Sequence, residues 1–254
     1  RNITGTRCSS TLRSAERSKL VLAGSRSQMR DIIISTAAAS GQRDGAIRYW
    51  LSSGAGSLEL TPAPGAQPGF FVMAFGGLSY PDRWYTEGLR VMTTTYPIKP
   101  PLYAITKATN YLPNVLMQME AREAGLDNGV SIDEAGHVGE SSNMNVAFVT
   151  SDGVLRHPTF ERVLPGCTSL RLLELAQSLV GGILTGVVVC DIPVADARGA
   201  REMLLMGSSV RVAPVVAWDG QPIGNGRPGP AARALLSLLE DDMRTGDRLI
   251  DVPY

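Results

Sequence analysis

A mixed α+β fold in two domains is predicted for this chain of 254 residues. Three observations predict it. Strand-like and helix-like segments interleave without the strict alternation that a wholly parallel sheet demands. A cluster of prolines, Pro97, Pro100 and Pro101, stiffens the chain a little before its middle. The residues are 44% hydrophobic and 19% charged, an ordinary globular balance in a chain long enough for one large core or two modest ones.

Leu12, Ala15 and Leu20 mark a short helix over 10–20. Ser27 is expected to cap a second helix that carries Met29, Ile32, Ile33 and Ala37 on one face and stops at Gly41. Residues 46–52, 70–75 and 89–95 read as strands, because they are rich in aromatic and β-branched side chains and bounded by Gly and Pro. Between the first two, residues 54–69 hold Pro62, Pro64 and Pro68 and read as a loop. The proline cluster then marks the expected partition: a small domain over 1–97, a linker at 98–104 and a larger domain over 105–254. Leu112, Val115, Leu116 and Met119 recur at helix spacing in 112–124. Strands at 129–133 and 137–139 flank a Glu134-Ala135-Gly136 turn, and Asp152-Gly153 joins strands at 146–149 and 154–157 as a hairpin. An amphipathic helix over 168–179 precedes a buried strand at 187–192 and strands at 203–206 and 214–218. Asp219-Gly220 makes another hairpin, and 230–243 closes as a helix.

Composition excludes several classes of function. Acidic and basic residues balance at 24 each, so nothing favours nucleic acid or an anionic membrane as partner. No apolar run approaches the ~20 residues of a membrane span. Cys8, Cys167 and Cys190 are too few and wrongly spaced for a disulfide framework or a zinc site, and only His137 and His157 offer imidazole. No metal is expected. The first residues, with Arg1, Arg7 and Arg13 and no acid among them, read as a basic helix start or the tail of a transit segment.

Only Lys19, Lys99 and Lys107 are lysines; every other basic residue is arginine. A guanidinium stays protonated, whereas a lysine amine can be deprotonated by its surroundings and attack a carbonyl. A carbonyl cofactor such as pyridoxal phosphate has few points of attachment here. Lys107, between the proline-marked segment and the helix at 112, is the best of them.

Six ordered blocks then carry a resemblance. They are Lys107 to Ala124, Val138 to Asn145 (Val-Gly-Glu-Ser-Ser-Asn-Met-Asn), Ser151 to Leu155, Leu164-Pro165-Gly166-Cys167-Thr168, Gly207 to Pro214, and Asp219 to Pro230. Together they resemble the successive motifs of fold-type IV pyridoxal-phosphate enzymes, which include branched-chain aminotransferases, D-amino-acid aminotransferases and aminodeoxychorismate lyases. The wording of Asn110 to Leu116 and Asn143 to Val149 is most similar to the plant chloroplast branched-chain-aminotransferase-like group. The likeness runs over about 11–254.

The resemblance implies a role for each matching residue. Lys107 is the covalent anchor for pyridoxal 5′-phosphate and the base that moves a proton between substrate Cα and cofactor C4′. Glu140 holds the pyridine nitrogen protonated. Tyr111 meets the cofactor's 3′ oxygen, although its spacing from the lysine is one residue short of the branched-chain pattern. The backbone N–H groups of Cys167 and Thr168, at a helix start, bind phosphate. Ser208 adds a hydroxyl to the phosphate, Ser209 lies near the substrate carboxylate, and Leu164 lies against the ring. Arg48, in Ile47-Arg48-Tyr49-Trp50, matches a substrate-side arginine suited to a carboxylate. Gly224 to Gly229 formally fits a dinucleotide-binding glycine pattern, but it follows a hairpin and holds Pro228, so it is set aside.

Two departures stand out. The family has additional leading strands, so the small domain is expected to be truncated. Ser10 stands where the family places an arginine that grips the cofactor phosphate; Arg13 is the expected substitute. The implied activity is transamination between an amino acid, a D-amino acid in the first instance, and a 2-oxo acid. The alternatives are lysis of 4-amino-4-deoxychorismate to 4-aminobenzoate and pyruvate, or an inactive truncated isoform. A homodimer and a plastid location are implied by the same resemblance.

Overall fold

The computed structural model describes residues 3, 4 and 7–254, with side chains from Ser10 onward; Arg1 and the side chains of Arg7 and Cys8 lie outside the described residues. The chain runs β1 (Ile3–Thr4), α1 (Arg7–Arg17), α2 (Arg26–Ala39), β2 (Ala46–Ser52), β3 (Gly69–Phe75), α3 (Arg83–Thr86), β4 (Leu89–Thr93), α4 (Pro101–Ala104) and α5 (Leu112–Glu123). It continues through β5 (Asn128–Ile132), β6 (Val138–Ser141), β7 (Asn145–Val149), β8 (Val154–His157), α6 (Cys167–Leu175), β9 (Gly186–Val189) and α7 (Val194–Arg198). It ends with β10 (Glu202–Gly207), β11 (Arg211–Trp218), β12 (Gln221–Pro222), α8 (Pro230–Thr245) and β13 (Leu249–Ile250).

Two compact units divide the chain: Arg1–Leu78 with Asp242–Tyr254, and Ser79–Asp241. The break falls at Leu78/Ser79 and not at residue 97. The reason is β4, which lies before the proline cluster yet pairs in parallel with both β5 and β11 of the second unit. The segment expected to be a linker holds α4, started by Pro101 at its first turn, where a missing N–H costs nothing.

In the first unit, β2 and β3 form an antiparallel ribbon with Ala46 opposite Phe75 and Ser52 opposite Gly69. Met29, Ile33 and Ala37 of α2 are buried, as their helical spacing requires, while Ile32 is exposed. The cap of α2 is Ser25, not Ser27: Ser25 accepts from the Gln28 N–H and Gln28 reaches back to the Ser25 N–H at 2.8 Å, a reciprocal capping box. Gly41 follows the helix at φ +64°, a left-handed conformation that suits glycine.

The second unit is built on a nine-stranded sheet in the order β6-β5-β4-β11-β10-β7-β8-β9, with β12 beside β11. Its central strands are apolar on both faces because both faces are covered. Val146, Phe148, Met203 and Leu205 enter one core with Leu89, Val91 and Trp218. Ala147, Val149, Leu204 and Met206 enter the other with Leu172 of α6 and Leu235 of α8. Burying each large side chain contributes about 1.5–3 kcal/mol, so these strands fix the register of everything around them. The strand expected at 187–192 is shorter, ends at Val189, and is a sheet edge with Val188 and Val189 exposed. Among the described residues no helix is long and apolar enough to cross a membrane.

Candidate active site

Lys107 lies in the loop between α4 and α5. The helix α5 is anchored to the end of β4: the Thr94 and Thr95 hydroxyls donate to Glu120, at 2.5 Å each, and the Thr95 N–H donates at 3.1 Å. The loop is closed at its other end by the Thr106 hydroxyl, which donates to the Leu102 carbonyl at 2.6 Å. Lys107 is exposed, and its Nζ donates to the Tyr111 hydroxyl at 2.8 Å. Tyr111 immediately precedes α5, whose second residue Pro113 suits a helix start.

Glu140 sits on β6 and is 8% exposed. Its backbone is pinned by Ser131, whose hydroxyl accepts from the Glu140 N–H at 3.1 Å and donates to the Glu140 carbonyl at 2.9 Å. Its carboxylate accepts the Leu164 N–H at 3.1 Å through Oε2 and lies 3.8 Å from Lys99 Nζ through Oε1. Burial pushes its pKa up; Lys99, the Leu164 N–H and the charge of Lys107 pull it down. Lys99 Nζ also lies 5.8 Å from the centroid of the Tyr111 ring, whose hydroxyl takes the Lys107 amine, so the amine and the acid face one region.

A buried amide and hydroxyl network holds α5 to β6 behind these groups. Asn114 Nδ2 donates to the Ser142 carbonyl, and the Ser142 hydroxyl donates to Asn128 Oδ1 at 2.8 Å and Gln118 Oε1 at 2.9 Å. The helix that follows the Lys107 loop is thereby tied to the residue that follows the Glu140 strand.

At the other end of the region, α6 begins at Cys167 after Gly166, with no side chain capping its N–H groups. Its first turn offers free donors and the positive end of the helix dipole. The Ser208 hydroxyl, in the turn between β10 and β11, lies 3.4 Å from Thr168 Oγ1 and 3.8 Å from Cys167 Sγ. Ser209 follows in the same turn and is half-buried. Buried Asn145 fixes the approach to α6: it donates to the Leu164 carbonyl at 2.9 Å and accepts from the Ser169 hydroxyl at 2.9 Å. A Cβ at Gly166 would press into Asn145 Oδ1, so glycine is required there for close approach.

Leu164 thus links both ends. Its N–H serves Glu140, and three residues later α6 begins, a stretch of at most about 10 Å. The structure gathers Lys107, Tyr111, Glu140 and Leu164 in one chain of contacts, and Cys167, Thr168 and Ser208 in another. Arg48 is exposed on β2 of the first unit. Ser10 is half-buried and Arg13 exposed, both on α1 of that unit. Lys99 was not among the residues expected at the site. The scarcity of lysine that singles out Lys107 applies equally to Lys99, and it was the available signal.

Two other features carry no chemistry of this kind. A recess of about 590 Å³ lined by Tyr85, Thr86, Glu87, Arg227, Pro228 and Arg233 shares no residue with these clusters. After the Gly224 to Gly229 loop, the start of α8 is filled by the buried Glu202 carboxylate, which accepts the Ala231 and Ala232 N–H groups at 3.0 and 2.9 Å. An acid in that place excludes a dinucleotide pyrophosphate.

Comparison with known proteins places these features in a family context. The amino-transferase class IV family model matches residues 12–218. A chloroplastic D-amino-acid transaminase of Arabidopsis thaliana is 44% identical over 247 residues, which are 96% of this chain and 65% of that relative's length. A T.th. branched-chain amino acid aminotransferase, solved with pyridoxamine 5′-phosphate, matches with a TM-score of 0.88 and 26% identity, covering 97% of this chain and 82% of that one. The Escherichia coli branched-chain aminotransferase shares the fold at a TM-score of 0.87 and 23% identity, covering 97% of this chain and 83% of that one. The mixed α+β architecture is that of these structures.

Proposed function

This chain belongs to the class IV aminotransferases, and from that premise we propose that it binds pyridoxal 5′-phosphate and transfers an amino group from an amino acid, a D-amino acid in the first instance, to a 2-oxo acid. The observation that carries the reading is the convergence of an amine, a phenol and a buried acid: Lys107 Nζ donates to the Tyr111 hydroxyl at 2.8 Å, and Lys99 Nζ lies both 5.8 Å from the centroid of that ring and 3.8 Å from Glu140 Oε1.

The residues present fit the cofactor. A carbonyl needs an accessible amine, and Lys107 is exposed. A ring nitrogen that must stay protonated needs a carboxylate, and Glu140 is buried with one oxygen already held by Leu164. A phosphate needs N–H and O–H donors, which the uncapped start of α6 and the exposed Ser208 hydroxyl beside Thr168 supply.

When bound, the cofactor supplies an aldehyde to take up the amino group and a protonated ring to absorb the electrons left at the substrate's α carbon. Lys107 would hold the cofactor through its amine and, once the substrate's amino group has displaced it, the freed amine would move a proton between substrate Cα and C4′. Tyr111, whose hydroxyl accepts from the Lys107 amine, would position it and would offer its own O–H to the cofactor's 3′ oxygen. Glu140 keeps the proton on the ring nitrogen. The N–H groups of Cys167 and Thr168 and the Ser208 hydroxyl hold the phosphate, so Cys167 acts through its backbone. Leu164 would lie against the cofactor ring and Ser209 near the substrate carboxylate. Arg48 is a further carboxylate ligand on the strength of the resemblance. The preference for D-amino acids and a plastid location follow the chloroplastic relative, and a homodimer rests on the family resemblance alone.

Purified protein incubated with pyridoxal 5′-phosphate is expected to turn yellow, and borohydride to fix the label on the Lys107 peptide. D-alanine with 2-oxoglutarate is then expected to yield pyruvate and glutamate. A colourless protein that takes up no cofactor overturns the reading in favour of a non-catalytic chain. Release of 4-aminobenzoate from aminodeoxychorismate without amino transfer replaces transamination by the lyase reaction.

A further inference from the structure

Lys99 has no part in the chemistry described so far, yet it is the cation in ion-pair contact with the buried acid. Its Nζ lies 3.8 Å from Glu140 Oε1, with the Lys99 side chain 14% exposed and that of Glu140 10% exposed. A flexible surface lysine rarely holds such a place, and the sequence around it explains how this one does. Ile98 Cδ1 fills the space that a Cβ on Gly139 would enter at 2.5 Å, so the Ile98 side chain packs directly on the residue before Glu140. Pro100 and Pro101 follow directly, with Pro100 extended at φ −50° and ψ 148° and Pro101 starting α4. Proline also restricts the residue before it, so the Lys99 backbone has little freedom to swing the amine away.

The groups facing the Glu140 carboxylate are Lys99 from the segment before α4, Lys107 from the loop before α5, and the Leu164 N–H from the loop before α6. Lys99 and Lys107 flank the Tyr111 ring, with Nζ atoms 5.8 and 5.5 Å from its centroid. Lys107 changes its bonding once a carbonyl is attached to it. Lys99 is then the fixed positive charge beside the acid.

We propose that Lys99 is a positioning residue for Glu140, holding its carboxylate ionised and aimed so that the proton it shares with a cofactor ring nitrogen resides on the nitrogen. A fixed cation beside Oε1 stabilises a negative carboxylate more than it opposes a positive charge farther off, so the shared proton is driven away from the acid. The inference rests on the cofactor reading above.

The test compares wild type, Lys99→Met and Lys99→Arg in titrations with pyridoxal 5′-phosphate between pH 5 and 8, alongside borohydride labelling of Lys107. An opposite charge within 4–6 Å shifts a carboxyl by about 1–3 pH units. Lys99→Met is therefore expected to bind about tenfold more weakly at the acidic end, with the acid limb of binding raised by about one unit. Lys99→Arg is expected to restore the wild-type profile, and Lys107 to be labelled in all three. Wild-type affinity and profile in Lys99→Met, tighter binding in it, or equal impairment of Lys99→Arg overturns the proposal. If Lys99→Met does not fold, Lys99→Gln is judged by the same criteria. A wild type that takes up no cofactor defeats the cofactor reading itself, an outcome distinct from any of these.

Discussion

Gly166→Ala tests the joint between the two ends of the site. The backbone at Gly166, φ −62° and ψ 129°, is open to alanine, so no torsional penalty enters. The cost is steric: the new Cβ would stand closer than 3.0 Å to Asn145 Oδ1. Asn145 is 6% exposed and has no room to retreat without releasing the Leu164 carbonyl or the Ser169 hydroxyl, each held at 2.9 Å. A lost hydrogen bond costs about 0.5–1.5 kcal/mol, and a buried polar group left without a partner about 1–3. One broken bond and one orphaned group give about 2–4 kcal/mol of destabilisation. Urea unfolding followed through Trp84 and Trp218, both in the second unit, measures it. The same shift moves the Leu164 N–H from Glu140 and the start of α6, so cofactor affinity falls with stability. The double variant Gly166→Ala/Asn145→Ala is expected to recover part of the loss, because the clashing atom is gone. A stability change below about 0.5 kcal/mol, or strictly additive effects in the double variant, refutes the reasoning.

Two further variants probe the frame around the site. His157 is fully buried, with Nδ1 2.6 Å from the Pro158 carbonyl, and burial lowers its pKa from 6.5 to about 4. The unfolded chain binds this proton first, so stability is expected to be complete above pH 6.5 and to fall by about 3 kcal/mol as pH drops toward 4; His157→Leu should remove that share of the slope in urea unfolding at pH 7 and 4.5, and an unchanged slope counts against it. Glu202→Ala strips two charge-assisted bonds from the start of α8 and is expected to cost about 3–5 kcal/mol, while Glu202→Gln, which keeps one acceptor, costs about half; equal losses in the two variants would remove the charge from the explanation.

Much of the architecture was legible because local pattern and tertiary context agree. Strand β2 and helix α5 fall within a residue of expectation, but the apolar residues that marked α5, Leu112, Val115 and Met119, are exposed, and Asn114, Met117 and Ala121 are the buried ones. The misreadings have physical causes. Ser25 and Ser27 are equally good caps by residue type, and only the reach of Gln28 selects the former. The run at Val187 to Val189 is apolar enough for a core strand, yet it stands at the sheet edge, which residue type alone does not reveal. The prolines at 97–101 look like a domain junction but brace Lys99 against β6, so the ion pair with Glu140 depends on a packing contact between Ile98 and Gly139 that has no signature in either segment. Lys107, Tyr111 and Glu140 were legible through their motifs, whereas the cation beside the acid was not.

Asparagine, glutamine and serine make up the bridge between α5 and β6, and none of them titrates in the physiological range. This bridge between helix and strand is accordingly indifferent to acidity. Proton gain and loss are left to the few side chains in front of that bridge, so chemistry there can cycle through its charge states while the scaffold behind keeps one shape.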